Sequence, residues 1–117
     1  GEVQVLHIIK KHSGSKEPKD ANGQDVKVTK GRAKLALGNI RKKLATSGGM
    51  AQQRAFATFA REQSDSAADV QNGGDLGKVT SGHLVPEVEE VAFSLALGEI
   101  SEPFESPEGF HMLMRIA

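Results

Sequence analysis

Val3 and Val5 alternate with polar neighbours at the start of the chain, and Leu6, Ile8 and Ile9 then crowd the same short run without a Gly or Pro. That pattern predicts a β-strand over Val3–Lys10, central in its sheet. Lys11–Val28 is rich in Lys, Ser, Gly, Pro, Asn and Asp and reads as a long surface loop, of a length that is often functional or mobile. Thr29 can cap a helix that runs to about Thr46, with Gly48 and Gly49 as its stop. Ala33, Leu37, Ile40 and Leu44 fall on one face of that helix. A second helix is predicted over Ala51–Gln63, with Phe56, Phe59 and Ala60 as its apolar stripe, and a short third one over Ala67–Gln71.

The stretch Asn72–Val88 breaks this helical run. Gly73, Gly74 and Gly77 predict a turn feeding a short strand, and Gly82 interrupts the chain again. Pro86 then suits the first turn of a helix over Pro86–Leu97, where Val88, Val91, Ala92 and Leu95 share a face and Gly98 is the stop. Ile100–Glu105 and Gly109–Ile116 form the expected final hairpin, joined at Ser106–Gly109. The order β, loop, α, α, short α, β, α, β, β predicts an α+β fold with an antiparallel or mixed sheet.

Composition adds limits. The 117 residues amount to one domain with room for a core, and no apolar run is long enough for a membrane-spanning helix. The first residue is Gly1 rather than Met, so a processed form or a domain excised from a longer chain is expected. Cysteine is absent, which excludes disulfides, thiolate metal sites and a cysteine nucleophile. The zero net charge hides an asymmetry. Residues 1–54 hold twelve Lys/Arg against four Asp/Glu, and residues 55–117 hold three against eleven, or +8 facing −8. Either the basic half is a set of solvated faces, or it meets an anionic partner.

Two histidines, His7 and His111, lie on strands at opposite ends of the chain. If those strands pair in the centre of the sheet, both rings can share a face. No third ligand at suitable spacing supports a metal site. A Ser–His–Asp hydrolase would draw on Ser66, one of the two histidines, and Asp65 or Asp75, but no Gly-x-Ser-x-Gly turn accompanies them.

Six segments in order resemble the parvulin-type peptidyl-prolyl cis/trans isomerases over nearly the whole chain. They are His7-Ile8-Ile9; Phe56-x-x-Phe59-Ala60 leading to Ser64-Asp65; Gly73-Gly74-Asp75-Leu76-Gly77; Val85–Phe93; Leu97–Pro103; and Gly109-Phe110-His111. The long loop carrying Lys11 and Lys16 resembles the eukaryotic branch directed to phosphorylated Ser/Thr-Pro. The resemblance implies a parvulin-like domain over 1–117, of the FKBP-like superfold, with a four-stranded, mainly antiparallel sheet surrounded by about four helices. It implies rotation about X–Pro bonds with no cofactor. His7 and His111 would lie beneath the reacting bond, tuning the hydrogen-bond network and holding the site's shape, with Ser66 as the third catalytic residue, standing where many members carry Cys and others Asp. Leu84 and Val88 would form the proline pocket, supported by Leu76 and edged by Val79, and Lys11 and Lys16 would meet a substrate phosphate.

Three positions depart from the family's pattern. Val88 stands in place of the usual Phe, Val79 replaces a bulkier residue, and Glu17 falls where a second Arg or Lys is common. A carboxylate there opposes a phosphate, so a relaxed preference for acidic or phosphorylated residues before proline is expected. Lys10, Lys19 and Lys27 are candidates to compensate. The expected setting is a monomer in the nucleus or cytoplasm, acting on proline-containing peptides or proteins and not on membranes. Two alternatives of other classes stand beside this one. One is a parvulin-like binding or chaperone module with little turnover. The other, weaker, is DNA binding through the basic half, centred on Arg41, Lys42 and Lys43.

Overall fold

The computed structural model describes residues 1–117. Its elements are β1 (Glu2–Lys10), α1 (Lys30–Leu44), α2 (Gly49–Gln63), a single 3₁₀ turn (Val70–Asn72), β2 (Asp75–Thr80), α3 (Pro86–Ser94), β3 (Phe104–Ser106) and β4 (Gly109–Arg115). The strands form one antiparallel sheet in the order β2-β1-β4-β3. The first and last strands are therefore its centre, and both of their faces are covered.

The two-residue period of the strands divides the core. Leu6 and Ile8 of β1 join Phe110, Met112 and Met114 of β4 under α1 and α2, against Ala33, Leu37, Ile40, Leu44, Phe56 and Ala60. Val3 and Val5 point the other way, with Val79 and Leu113, and pack on Val88, Ala92 and Leu95. The stripe predicted for α1 is buried at all four positions. Its Thr29 cap accepts a hydrogen bond from the Arg32 N–H at 3.2 Å.

Two glycines are needed by close approach. A Cβ on Gly74, at φ +81°, would sit 2.2 Å from the carbonyl oxygen of His7, and one on Gly109 would sit 2.8 Å from that of Lys10. Through this contact the Gly74 carbonyl accepts the His7 N–H at 2.9 Å, which seats the start of β2 directly beside His7.

Three elements differ from the sequence pattern, each because tertiary hydrogen bonds displace local ones. The short helix expected over Ala67–Gln71 is a turn followed by 3₁₀ at Val70–Asn72. One α-type bond, Val70 N–H to Ser66 O, forms, and the Asp69 carbonyl is then taken by the Asn72 and Gly74 N–H groups. The helix expected to Leu97 ends at Ser94, because Leu95 turns extended with its carbonyl on Arg115 Nη1 at 2.9 Å. The strand expected over Ile100–Glu105 is only a bridge at Ile100 and β3 at Phe104–Ser106, since Pro103 between them has no N–H for the ladder.

Loop 11–28 is anchored at both sides. The Lys11 N–H donates to Asp65 Oδ2 at 2.9 Å, and the Lys16 N–H reaches the Pro107 carbonyl at 2.8 Å. His12 is buried and packs against Phe110. No helix is long and apolar enough to cross a membrane.

Candidate active site

His7 and Ile9 face away from α1 and α2, as do His111 and Leu113, because all four occupy odd positions of strands in register His7↔Leu113 and Ile9↔His111. The two histidines are thus diagonal neighbours on one face, just beyond the apolar cluster under α3. His7 Nε2 lies 2.9 Å from His111 Nδ1. His7 Nδ1 lies 3.1 Å from Asp69 Oδ2, and Ser106 Oγ lies 2.6 Å from His111 Nε2. Ser66 Oγ also donates to Asp69 Oδ2, at 2.9 Å.

A carboxylate only accepts, so with both rings neutral the protons in this chain have one consistent order. His7 donates Nδ1–H to Asp69, His111 donates Nδ1–H to His7 Nε2, and Ser106 donates O–H to His111 Nε2. The Glu108 N–H then donates to Ser106 Oγ at 3.0 Å. His111 is neutral in this arrangement, with both ring nitrogens in use. Burial pushes it down to about 3, the neighbouring His7 adding to the effect and Asp69 opposing it. Phe104 stacks on the ring of His111, with centroids 5.3 Å apart.

Above this floor is a cavity of about 480 Å³. Leu76 from β2, Leu84 from the loop after it and Val88 from α3 supply apolar wall, with Ile9 beside the histidines. Ser66 faces the same space. Val79 does not. It is 3% exposed, among the apolar residues packed under α3, because its place on β2 turns it inward against Val3 of β1. The expectation that it edges the pocket is corrected accordingly. Val88 is itself only 4% exposed and belongs to both the cavity wall and the core beneath it.

Lys11 and Lys16 line the cavity's rim, and so do Glu17 and Glu108. The Lys11 ammonium contacts the Glu17 carbonyl at 3.3 Å, and Glu17 holds a left-handed φ of +51° to present it. Lys16 takes part in none of the protein's ion pairs. Two of the expected compensating lysines are committed elsewhere. Lys10 donates to the Gln63 carbonyl and pairs with Asp65, and Lys19 pairs with Asp25.

The structure therefore brings together His7, Ser66, His111, Leu76, Leu84, Val88, Lys11 and Lys16 around one space. Asp69, Ser106 and Phe104 escaped the sequence reading. Asp69 lies in a segment whose pattern predicts a helix, and Ser106 in a hairpin turn, where serine is ordinary. Only the spacing Ser66-x-x-Asp69 carried a hint. A hydrolase triad is not assembled, since the Ser66 hydroxyl meets Asp69 and no histidine, while His7 Nε2 is occupied by His111. No group of three His, Asp or Glu side chains is disposed to hold a metal ion.

Residues 7–117 match the Rotamase family, described as the PPIC-type PPIase domain. The chain is 34% identical over 116 residues to the putative peptidyl-prolyl cis-trans isomerase dodo of Drosophila melanogaster, covering 99% of this chain and 66% of that protein. It is 32% identical over 114 residues to the peptidyl-prolyl cis-trans isomerase ESS1 of Saccharomyces cerevisiae, covering 97% and 65%. The chain thus spans just under two thirds of the length of these relatives. Among solved structures, the peptidyl-prolyl isomerase ESS1 from Candida albicans superposes with a TM-score of 0.86 at 29% identity, covering 100% of this chain and 63% of that one.

Proposed function

The chain belongs to the PPIC-type, or parvulin, family of peptidyl-prolyl cis-trans isomerases, and on that premise we propose that it catalyses rotation about X–Pro bonds in peptide or protein substrates. The observation that carries this reading is the directional Ser106–His111–His7–Asp69 chain lying under a cavity with an apolar wall of Leu76, Leu84 and Val88. Rotation about a peptide bond faces a barrier of about 18–20 kcal/mol because amide resonance must be lost. No covalent bond has to form. A site that holds the twisted amide better than either planar isomer lowers that barrier.

The proline ring would rest against Leu76, Leu84 and Val88, out of water. Ser66 would offer its oxygen as an acceptor toward the bond, since its proton is given to Asp69. The neutral imidazoles beneath would supply fixed dipoles that need no reorganisation as the carbonyl swings. Ser66 is a weak nucleophile with no base against it, which favours this non-covalent route.

The residue before proline would meet Lys11 and Lys16. Glu17 and Glu108 at the same rim oppose a dianion, so the preference for phosphoserine, phosphothreonine or Glu before proline is relaxed rather than strict. The setting is intracellular, in the nucleus or cytoplasm, in keeping with similarity over nearly the whole of this chain to proteins of a fly and a yeast. The protein acts as a monomer. Both statements are open to direct test by localisation of a tagged chain and by sedimentation.

The decisive measurement is an NMR exchange or protease-coupled assay on pSer-Pro, Glu-Pro, Ala-Pro and Arg-Pro peptides. Acceleration of the first two above the others is expected, with Lys11→Ala/Lys16→Ala lowering the pSer-Pro rate selectively. Acceleration of none would leave a binding or chaperone module, a reading favoured by the aliphatic Val88 in the pocket wall. DNA binding is less well supported, because Arg41 is spent on the Ser101 and Ile100 carbonyls and on Glu102. A salt-sensitive shift abolished by neutralising Arg41, Lys42 and Lys43 would revive it.

A further inference from the structure

Asp69 is 6% exposed, and a carboxylate so deeply buried is costly unless donors face it. Both of its side-chain donors, the Ser66 hydroxyl and His7 Nδ1–H, converge on the single oxygen Oδ2, while Oδ1 has no protein donor. For packing alone, a neutral side chain of similar volume would be cheaper at this position. Groups kept in an environment that disfavours them are commonly kept for a site's chemistry.

The backbone of Asp69 is held as firmly as its side chain. Its carbonyl accepts the N–H groups of Asn72 and Gly74, and Gly74 in turn accepts the N–H of His7. Carboxylate and imidazole are thereby fixed to each other by a short covalent and hydrogen-bonded circuit. Ser66, which lines the cavity with them, reaches the histidines only through Asp69.

We propose that Asp69 is the positioning residue of this site: by accepting from His7 at Oδ2 it selects one tautomer of His7, and through it the direction of every hydrogen bond to Ser106. The proposal rests on the isomerase reading for its kinetic consequence but not for its structural one. Without the acceptor, the same three groups can be joined in the reverse sense. His7 would then donate Nε2–H to His111 Nδ1, and His111 would donate Nε2–H to Ser106 Oγ. The ring dipoles under the reacting bond would be split between two orientations, and each turnover would have to find the right one. Asp69 lines the cavity beside Ser66 but acts through His7 in this scheme, because Oδ1 is covered and Oδ2 is already taken by two donors.

Two readouts on the full chain test this. Long-range ¹H–¹⁵N NMR of the imidazoles should give wild-type His7 and His111 both as Nδ1–H tautomers, and Asp69→Ala should lose that single pattern. In the same variant kcat should fall about tenfold or more while KM stays within about twofold, since the wall that holds proline is untouched. Moving the carboxylate, as Ser66→Asp in the Asp69→Ala background, should restore the Nδ1–H pattern of His7 and much of the lost kcat. If Asp69→Ala does not fold, Asp69→Asn keeps the volume and removes the charge, and a severalfold loss of kcat at constant KM is expected. A folded Asp69→Ala that keeps the wild-type tautomers, or a folded Asp69→Ala or Asp69→Asn with unchanged kcat, overturns the proposal. If the wild-type protein turns over none of the four peptides, the isomerase reading fails, and the tautomer experiment alone then decides the role of Asp69.

Discussion

Val88 is at once cavity wall and core, so its size sets two quantities together. Phe in its place would extend apolar area into the cavity, at a packing cost of about 1–3 kcal/mol. Val88→Phe is therefore expected to lower KM for Ala-Pro peptides severalfold while lowering the denaturation midpoint. An unchanged KM would discard the thin pocket as a cause of weak proline binding. His111 makes a prediction of a different kind. Its folded value, about 3, lies below the ordinary 6.5, so on acidification the unfolded chain takes up that proton first. Its contribution to stability is complete above about pH 6.5 and is lost as pH falls from there toward 3, at up to about 1.4 kcal/mol per pH unit. Urea unfolding of wild type and His111→Gln at pH 7 and pH 5 should show the shallower pH slope in the variant. Equal slopes would mean that His111 is not held neutral.

At the scale of elements, the start of β2 depends on how closely it can approach β1. Gly74 and Gly77 both have left-handed φ, +81° and +72°, yet a Cβ meets the His7 backbone at the first and open space at the second. Gly77→Ala should cost only the conformational strain, about 1–2 kcal/mol. Gly74→Ala adds a backbone clash that cannot relax without moving β1, so it should cost clearly more and displace His7. Thermal denaturation of the two variants ranks them, and near-equal losses would refute the close approach. The same contact explains why the sequence reading of Ala67–Gln71 went astray. Its helical pattern is real, but the Asp69 carbonyl serves β2 and its carboxylate serves His7, so the helix does not propagate.

For the whole molecule, the opposition of a basic first half and an acidic second half is partly resolved internally. Lys10 pairs with Asp65, Lys30 with Glu105 and Arg41 with Glu102, at 3.6, 2.8 and 3.4 Å, each joining a base of the first half to an acid of the second. Two of the three are well exposed, and such pairs are worth about 0–1 kcal/mol each. Raising NaCl from low concentration to about 0.5 M should thus lower stability by no more than about 1 kcal/mol, measured by urea unfolding. A larger loss would mean that the halves are held together electrostatically. Lys16 stays outside this pairing, which leaves its charge to whatever enters the cavity.

What the sequence alone determined was everything that repeats. The two-residue period of β1 and the helical stripe of α1 specified elements and buried faces, because periodicity records which side of an element meets the core. The odd spacing of His7 and of His111 with its neighbour Leu113 also made a shared face legible once the two strands were taken as central. What only the tertiary structure decided was where single hydrogen bonds and short contacts go. Val79 turned inward, Lys10 and Lys19 found partners, and Leu95 left its helix for Arg115. Asp69 and Ser106 became the ends of a chain through two histidines 104 residues apart in sequence. Such contacts depend on positions fixed by the packing of distant segments, and a pattern along the chain holds no record of them.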